Sequence, residues 1–124
     1  MMQPYTDLAE LAGVFLEESY VLDIEARPGR VKFDLDFVLT PEHPNYTAPA
    51  VGEQFCFRRG SLEFEGVRRL IWSDQGAPPA RDATGEIDFG NIDSLTFDEV
   101  GFVLEGSWGR MELRAASVSA TLLH

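Results

Sequence analysis

Two hydrophobic periods divide the chain. Near the start, Leu8, Leu11, Ala12, Phe15 and Leu16 recur at i, i+3, i+4, i+7 and i+8, the spacing of one helical face. Thr6 or Asp7 can cap such a helix, and Asp7 with Glu10 fits a capping box. This predicts one short helix over about residues 6–17, although Gly13 interrupts it and "VFLEES" can belong to the next element of the chain.

From Ser19 the period becomes two. Tyr20, Leu22, Ile24 and Ala26 alternate with Val21, Asp23 and Glu25, the turn "RPG" comes next, and Val31, Phe33, Leu35, Phe37 and Leu39 alternate with polar residues. The pair reads as a β-hairpin with one buried and one wet face. Farther on, Phe55 and Phe57 occupy odd positions while Leu62 and Phe64 occupy even ones. A bulge or a break near Gly60 would bring all four inside. Val67, Leu70, Ile71 and Trp72 predict another strand, ended by the turn-rich "SDQGAPPARDATG".

The last third repeats the theme at Ile87 and Phe89, Leu95 and Phe97, Phe102 and Leu104, Met111 and Leu113, then Val118, Ala120 and Leu122. Short strands, frequent glycine and the lack of a long helical pattern predict a mainly β fold. The expected form is a single antiparallel β-meander of about six to eight strands, barrel-like or sandwich-like, with one short N-terminal helix. No linker divides residues 1–124, so one domain is expected, β-rich from 19 to 123.

Composition agrees with a folded globule, since 44% of the residues are hydrophobic and 11% aromatic. One cysteine, Cys56, excludes an internal disulfide and a thiolate zinc cluster. The first eleven residues lack the basic start and apolar run of a signal peptide, and no window approaches a membrane span, so a cytoplasmic protein with no membrane partner is expected.

Charge changes the picture more. The net charge of -11 arises from 21 acids against 10 bases, which disfavours nucleic acid and favours a basic protein partner. Six acids (Asp7, Glu10, Glu17, Glu18, Asp23, Glu25) precede the first base, Arg27, and seven lie between Arg81 and Arg110 with no base among them. The simpler reading is a solvated surface whose acids meet the arginine clusters across strands. Acids also recur two apart, as Asp23 and Glu25, Asp34 and Asp36, Glu63 and Glu65, Glu86 and Asp88. Two such pairs on adjacent strands would make an oxygen-rich cation site, and the polar face of a half-buried sheet produces the same pattern without one.

Candidate chemistry is sparse. No nucleophile elbow, P-loop, dinucleotide fingerprint or zinc-protease motif occurs, and "GSWG" at 106–109 lacks the elbow spacing. Cys56 with His43 could form a thiolate pair, but a cysteine between Phe55 and Phe57 reads as packing. No catalytic residue, metal or cofactor is therefore assigned. There remains "LTPEHPNYTAP" at 39–49, whose Pro41, Pro44 and Pro49 make a semi-rigid connection. A pocket beneath it would have His43, Glu42 and Tyr46 at its mouth, with Glu42 raising the imidazole pKa. Trp108, with Tyr20, Phe57 and Phe89, would line the interior of an open barrel.

The stretches "FLEESYVLDIE", "LTPEHPNYTAPAVGEQFCF", "ATGEIDFGNIDSL" and "LEGSWGRMEL" together resemble a family of small bacterial proteins of unknown function, over about residues 14–113. The resemblance implies a bacterial source and a one-domain β-rich protein, and transfers no catalytic residue. The general look, a small acidic β-protein ending in strand-forming segments, is also similar to bacterial immunity proteins that neutralise toxins, a likeness resting on no motif. Two functions are expected on these grounds. One is a non-enzymatic binding or accessory protein presenting acids to a basic partner; the other is a small-molecule binder or minor enzyme with a pocket under the 40–54 loop. Open sheet edges would also permit a homodimer.

Overall fold

The hydrophobic alternation is realised as strands that assemble into two antiparallel sheets, as given by a computed structural model describing residues 1–76, 80–81 (backbone) and 87–123. Among those residues the strands are β1 Gln3–Pro4, β2 Tyr20–Arg27, β3 Arg30–Leu39, β4 Cys56–Glu65, β5 Arg69–Ser73, β6 Ala80–Arg81, β7 Ile87–Asp88, β8 Ile92–Phe97, β9 Gly101–Gly106, β10 Gly109–Arg114 and β11 Ser117–Leu122. One sheet has the order β1-β8-β9-β10-β5, the other β11-β4-β3-β2, and β6 pairs only with β7. Much of the turn-rich run after Ser73, and Glu86 of the acid pair, lie outside the described residues.

The expected single meander and the barrel form are both corrected. Consecutive strands do zigzag in β2-β3-β4 and β8-β9-β10, but β5 leaves β4 to join β10, and β11 leaves β10 to join β4. These two crossings share one corner, where Ala116 N–H donates to Glu65 O at 2.9 Å and Arg68 N–H to Arg114 O at 2.8 Å. Gly66 turns there at φ 64°, and a Cβ on it would sit 2.7 Å from the Cβ of Ala116. A corner that diverts both strands keeps the two sheets separate.

Between the sheets lies one core. Phe33, Leu35, Leu62, Phe64, Leu104 and Met111 are fully buried. Rings interlock across it, Phe64 on Phe102 with centroids 4.9 Å apart and Phe33 on Trp108 at 5.2 Å, both edge to face. Such aromatic pairs add about 0.5–1.5 kcal/mol beyond the area they bury.

The N-terminal helix is the second correction. Its residues form three separate 3-10 turns, Tyr5–Asp7, Ala9–Leu11 and Leu16–Glu18. Leu8 between the first two is extended, Ala12 after the second leaves the helical region at φ −59° and ψ 130°, and Gly13 has φ 78°. The cause is tertiary, because β3 outruns β2 and takes this segment as its partner instead. Phe15 N–H donates to Val38 O at 2.9 Å, Thr40 N–H to Gly13 O at 2.8 Å, and Val14 bridges Leu39. The apolar positions still face inward at Leu11 and Leu16, which is what the helical spacing detected.

Two polar knots hold this segment. Ser19, fully buried, donates its hydroxyl to Phe15 O at 2.7 Å and accepts from Val38 N–H at 2.9 Å, while its carbonyl accepts from Asn91 Nδ2 at 2.6 Å. Tyr5 donates to the Glu17 carboxylate and accepts from Leu16 N–H at 3.2 Å, and burial first, then the Glu17 bond, pushes its phenol well above the usual range.

Candidate functional site

The expected bulge that would bring Phe55, Phe57, Leu62 and Phe64 to one face does not form. Cys56, Gly60, Leu62 and Phe64 are the buried members of β4, and β3 and β4 pair without a shift from Arg30↔Glu65 to Leu39↔Cys56. No bulge occurs at Gly60, where a Cβ would stand 2.2 Å from Thr121 O, so the glycine makes room for β11 instead. Phe57 therefore points outward, beside its cross-strand partner Val38. In β2 a bulge lies between Val21 and Asp23, so Val21 is buried and Tyr20 faces out. The outer face of the four-stranded sheet thus gains Tyr20 and Phe57, stacked at 6.0 Å and 25°.

Phe55 meets Phe57 edge to face at 6.1 Å, and Phe15 meets Phe55 in the same way at 6.5 Å. Four aromatic rings thereby form one row, and Phe15 and Tyr20 keep 37% and 39% of their surface in solvent. Exposed large apolar side chains are ordinary singly but informative when contiguous.

Beside this row lies a cleft of about 190 Å³ lined by Phe15, Val38, Leu39, Thr40, Pro41, Tyr46, Pro49, Gln54, Phe55 and Cys56. The proline-rich loop roofs it through successive turns. Thr40 O accepts from His43 N–H at 2.9 Å, with Pro41 second in the turn, and His43 O accepts from Tyr46 N–H at 3.0 Å, with Pro44 second. Proline presets φ at that position of a β-turn, which explains two of the three prolines. A third turn, Ala50 to Glu53, places Gly52 at φ 86°.

Of the four candidate residues, Tyr46 lines this cleft. His43 braces the loop rather than facing a reactant. Its Nδ1 accepts Asn45 N–H at 3.0 Å, and its backbone lies against Gly13, where a Cβ would stand 2.7 Å away. Glu42 is exposed and its carboxylate accepts from the Thr40 hydroxyl, which with its own backbone N–H holds its pKa below the usual value. The expected upward shift of His43 is reversed, because burial, then the charge of Arg58, lowers it. Trp108 sits elsewhere, 3% exposed, donating Nε1–H to Asn91 O at 3.1 Å. With Phe89, Trp72, Ile24, Asp23 and Gln75 it borders a different cleft of about 160 Å³.

The His43 shift gives a testable pH dependence. The unfolded imidazole has a pKa of about 6.5 and the folded one a lower value, so the unfolded chain binds more protons in the window between them. Stability should fall as pH drops below about 6.5, before the carboxylates titrate. Urea unfolding at pH 7.5 and 5.5 should show that loss in the wild type and a smaller one in His43→Gln; equal losses would remove His43 as the cause.

Surface ion pairs account for much of the charge map. Arg30 meets Glu63 at 2.8 Å, Lys32 meets Asp34 at 3.6 Å, Arg27 pairs with Glu25, and Arg110 pairs with Glu105 and lies 3.9 Å from Glu112. The strand register places Asp23 opposite Asp34, yet no group of three or more His, Cys, Asp or Glu residues among the described residues is arranged to hold a metal. Cys56 is buried, 3.8 Å from the Thr47 hydroxyl. No helix among the described residues is long and apolar enough to cross a membrane.

Sequence reasoning missed Phe15 and Phe55 as surface residues. The signal was the unresolved parity itself, which marks apolar groups on both faces of one strand. Compared with known proteins, the chain matches no family model, no curated protein and no solved structure.

Proposed function

We propose that this is a non-enzymatic binding protein that docks a basic protein partner on the outer face of its four-stranded sheet. The aromatic row Phe15-Phe55-Phe57-Tyr20 beside the loop-roofed cleft carries the reading. Interfaces of this kind are anchored by a few large side chains in pockets within a polar rim. The rim near Phe15 and Phe55 is acidic. Glu17 and Glu18 come just after Phe15, Glu53 precedes Phe55, and residues 1–26 contain six acids and no base. Of the two bases that follow Phe57, Arg58 reaches back to Asn45 O at 3.5 Å and Arg59 stands opposite Asp36. A basic segment carrying one or two large apolar residues is the complementary surface. A toxin held by an immunity-like protein is one partner of that chemistry.

A small apolar ligand in the cleft is the second reading, favoured by the cleft's apolar lining. Its volume of about 190 Å³ lies below the roughly 300–1,000 Å³ of typical ligand sites and suits one anchoring side chain of a partner better.

Selection from a displayed random peptide library on the immobilised protein tests the proposal. Enriched peptides should combine Lys or Arg with large apolar residues, lose affinity as salt rises, and fail to bind Phe15→Ala/Phe55→Ala. Acidic consensus peptides, or equal binding by the variant, would overturn it.

A further inference from the structure

On the outer face of the five-stranded sheet, Gly101, Arg114 and Arg69 stand in one row across three strands, since Gly101 pairs with Arg114 and Arg114 with Arg69. Directly opposed residues on one face have Cβ atoms about 5 Å apart, and like charges so placed repel. Both arginines are exposed, and among the described residues no carboxylate lies within 4 Å of either, although the charge of Arg114 acts on nearby Asp98. Other bases do have such partners, as Arg27, Arg30, Lys32 and Arg110 show, in a chain with 21 acids to 10 bases.

The pair borders a concavity of about 420 Å³ with apolar walls from Ile71 and Val103. Its floor at Gly101 is kept bare by geometry, because a Cβ there would lie 1.9 Å from Leu113 O. Two acids border it: Asp98 Oδ1 accepts Val100 N–H at 2.9 Å and Gly101 N–H at 3.1 Å, and Glu112, which the register sets between Ile71 and Val103, lies 3.9 Å from Arg110.

We propose that this concavity binds a small organic anion, its carboxylate or phosphate held between Arg69 and Arg114 and its apolar body resting on Ile71 and Val103. Two planar guanidinium forks match either oxyanion. The net negative charge opposes approach from a distance, but beyond about 8 Å it is largely screened at physiological salt, so the local pair governs contact.

Calorimetric titration with phenylacetate, phenyl phosphate and inorganic phosphate tests it. At least one aromatic anion should bind saturably, roughly tenfold more tightly than inorganic phosphate through burial of its ring. The tighter of the two identifies the preferred head group. Arg69→Gln/Arg114→Gln, exposed changes whose folding circular dichroism verifies, should abolish saturation, while Arg27→Gln should leave it intact. Absence of saturable binding by either aromatic anion, or unchanged binding by the double variant, would overturn the proposal.

Discussion

Trp108→Ala should lower the free energy of unfolding by about 3–5 kcal/mol, the usual range for deleting a large buried aromatic. That is a substantial part of the roughly 5–15 kcal/mol that holds a domain of this size together. The size of the effect comes from position. Gly106 pairs with Gly109, leaving Ser107 and Trp108 as a two-residue hairpin turn, and the indole folds back over Gly106, where a Cβ would meet Nε1 at 2.4 Å. The ring then packs on Phe33 of the facing sheet at 5.2 Å, its N–H satisfies Asn91 O, and its carbonyl accepts from Trp72 Nε1 at 3.1 Å. Trp108→Phe separates the contributions. It keeps much of the packing but leaves Asn91 O without that donor, a loss of about 1–3 kcal/mol. Denaturant unfolding measures both variants, and a loss below about 1 kcal/mol for Trp108→Ala would contradict the core role.

Gly13→Ala should be nearly as damaging, and it should also abolish partner binding. A non-glycine residue at φ 78° carries about 1–3 kcal/mol of backbone strain. The added methyl would also lie 2.7 Å from the N, Cα and Cβ of His43, closer than such atoms approach. Because two of those atoms are backbone, the proline-rich loop must move as a unit, and the cleft it roofs opens. His43→Gly removes only the Cβ contact, so the double variant should recover little stability. Full recovery in that double-mutant cycle would show that the side chain, rather than loop position, carries the coupling.

Much of the fold was legible in alternation alone, for strands at Val31 to Leu39, Phe102 to Leu104 and Met111 to Leu113 coincide with period-two runs. The turn "RPG" is likewise a two-residue hairpin, with Arg27 paired to Arg30. Faces were less legible than strands. At Tyr20 to Ala26 the bulge after Val21 inverts the alternation, and at Phe55 to Phe57 the strand is apolar on both sides because Val38 and the loop cover part of its outer face. The helix was lost for a different reason. The apolar spacing of Leu11 and Leu16 is real, but hydrogen bonds from Phe15 and Thr40 tie this segment to β3, a long-range competition that local spacing cannot report. The loop was identified from its prolines, and Tyr46 within it, whereas the aromatics that complete the surface come from segments 40 residues apart, Phe15 and Phe55.

Amide chemical-shift mapping with a selected basic peptide is the most direct test of the docking surface. Titration should move the resonances of Phe15, Tyr20, Tyr46, Phe55 and Phe57 together on one saturable curve, leaving Ile71, Val103 and Glu112 on the opposite sheet in place. Shifts concentrated on that opposite sheet, or none at saturating peptide, would contradict the account.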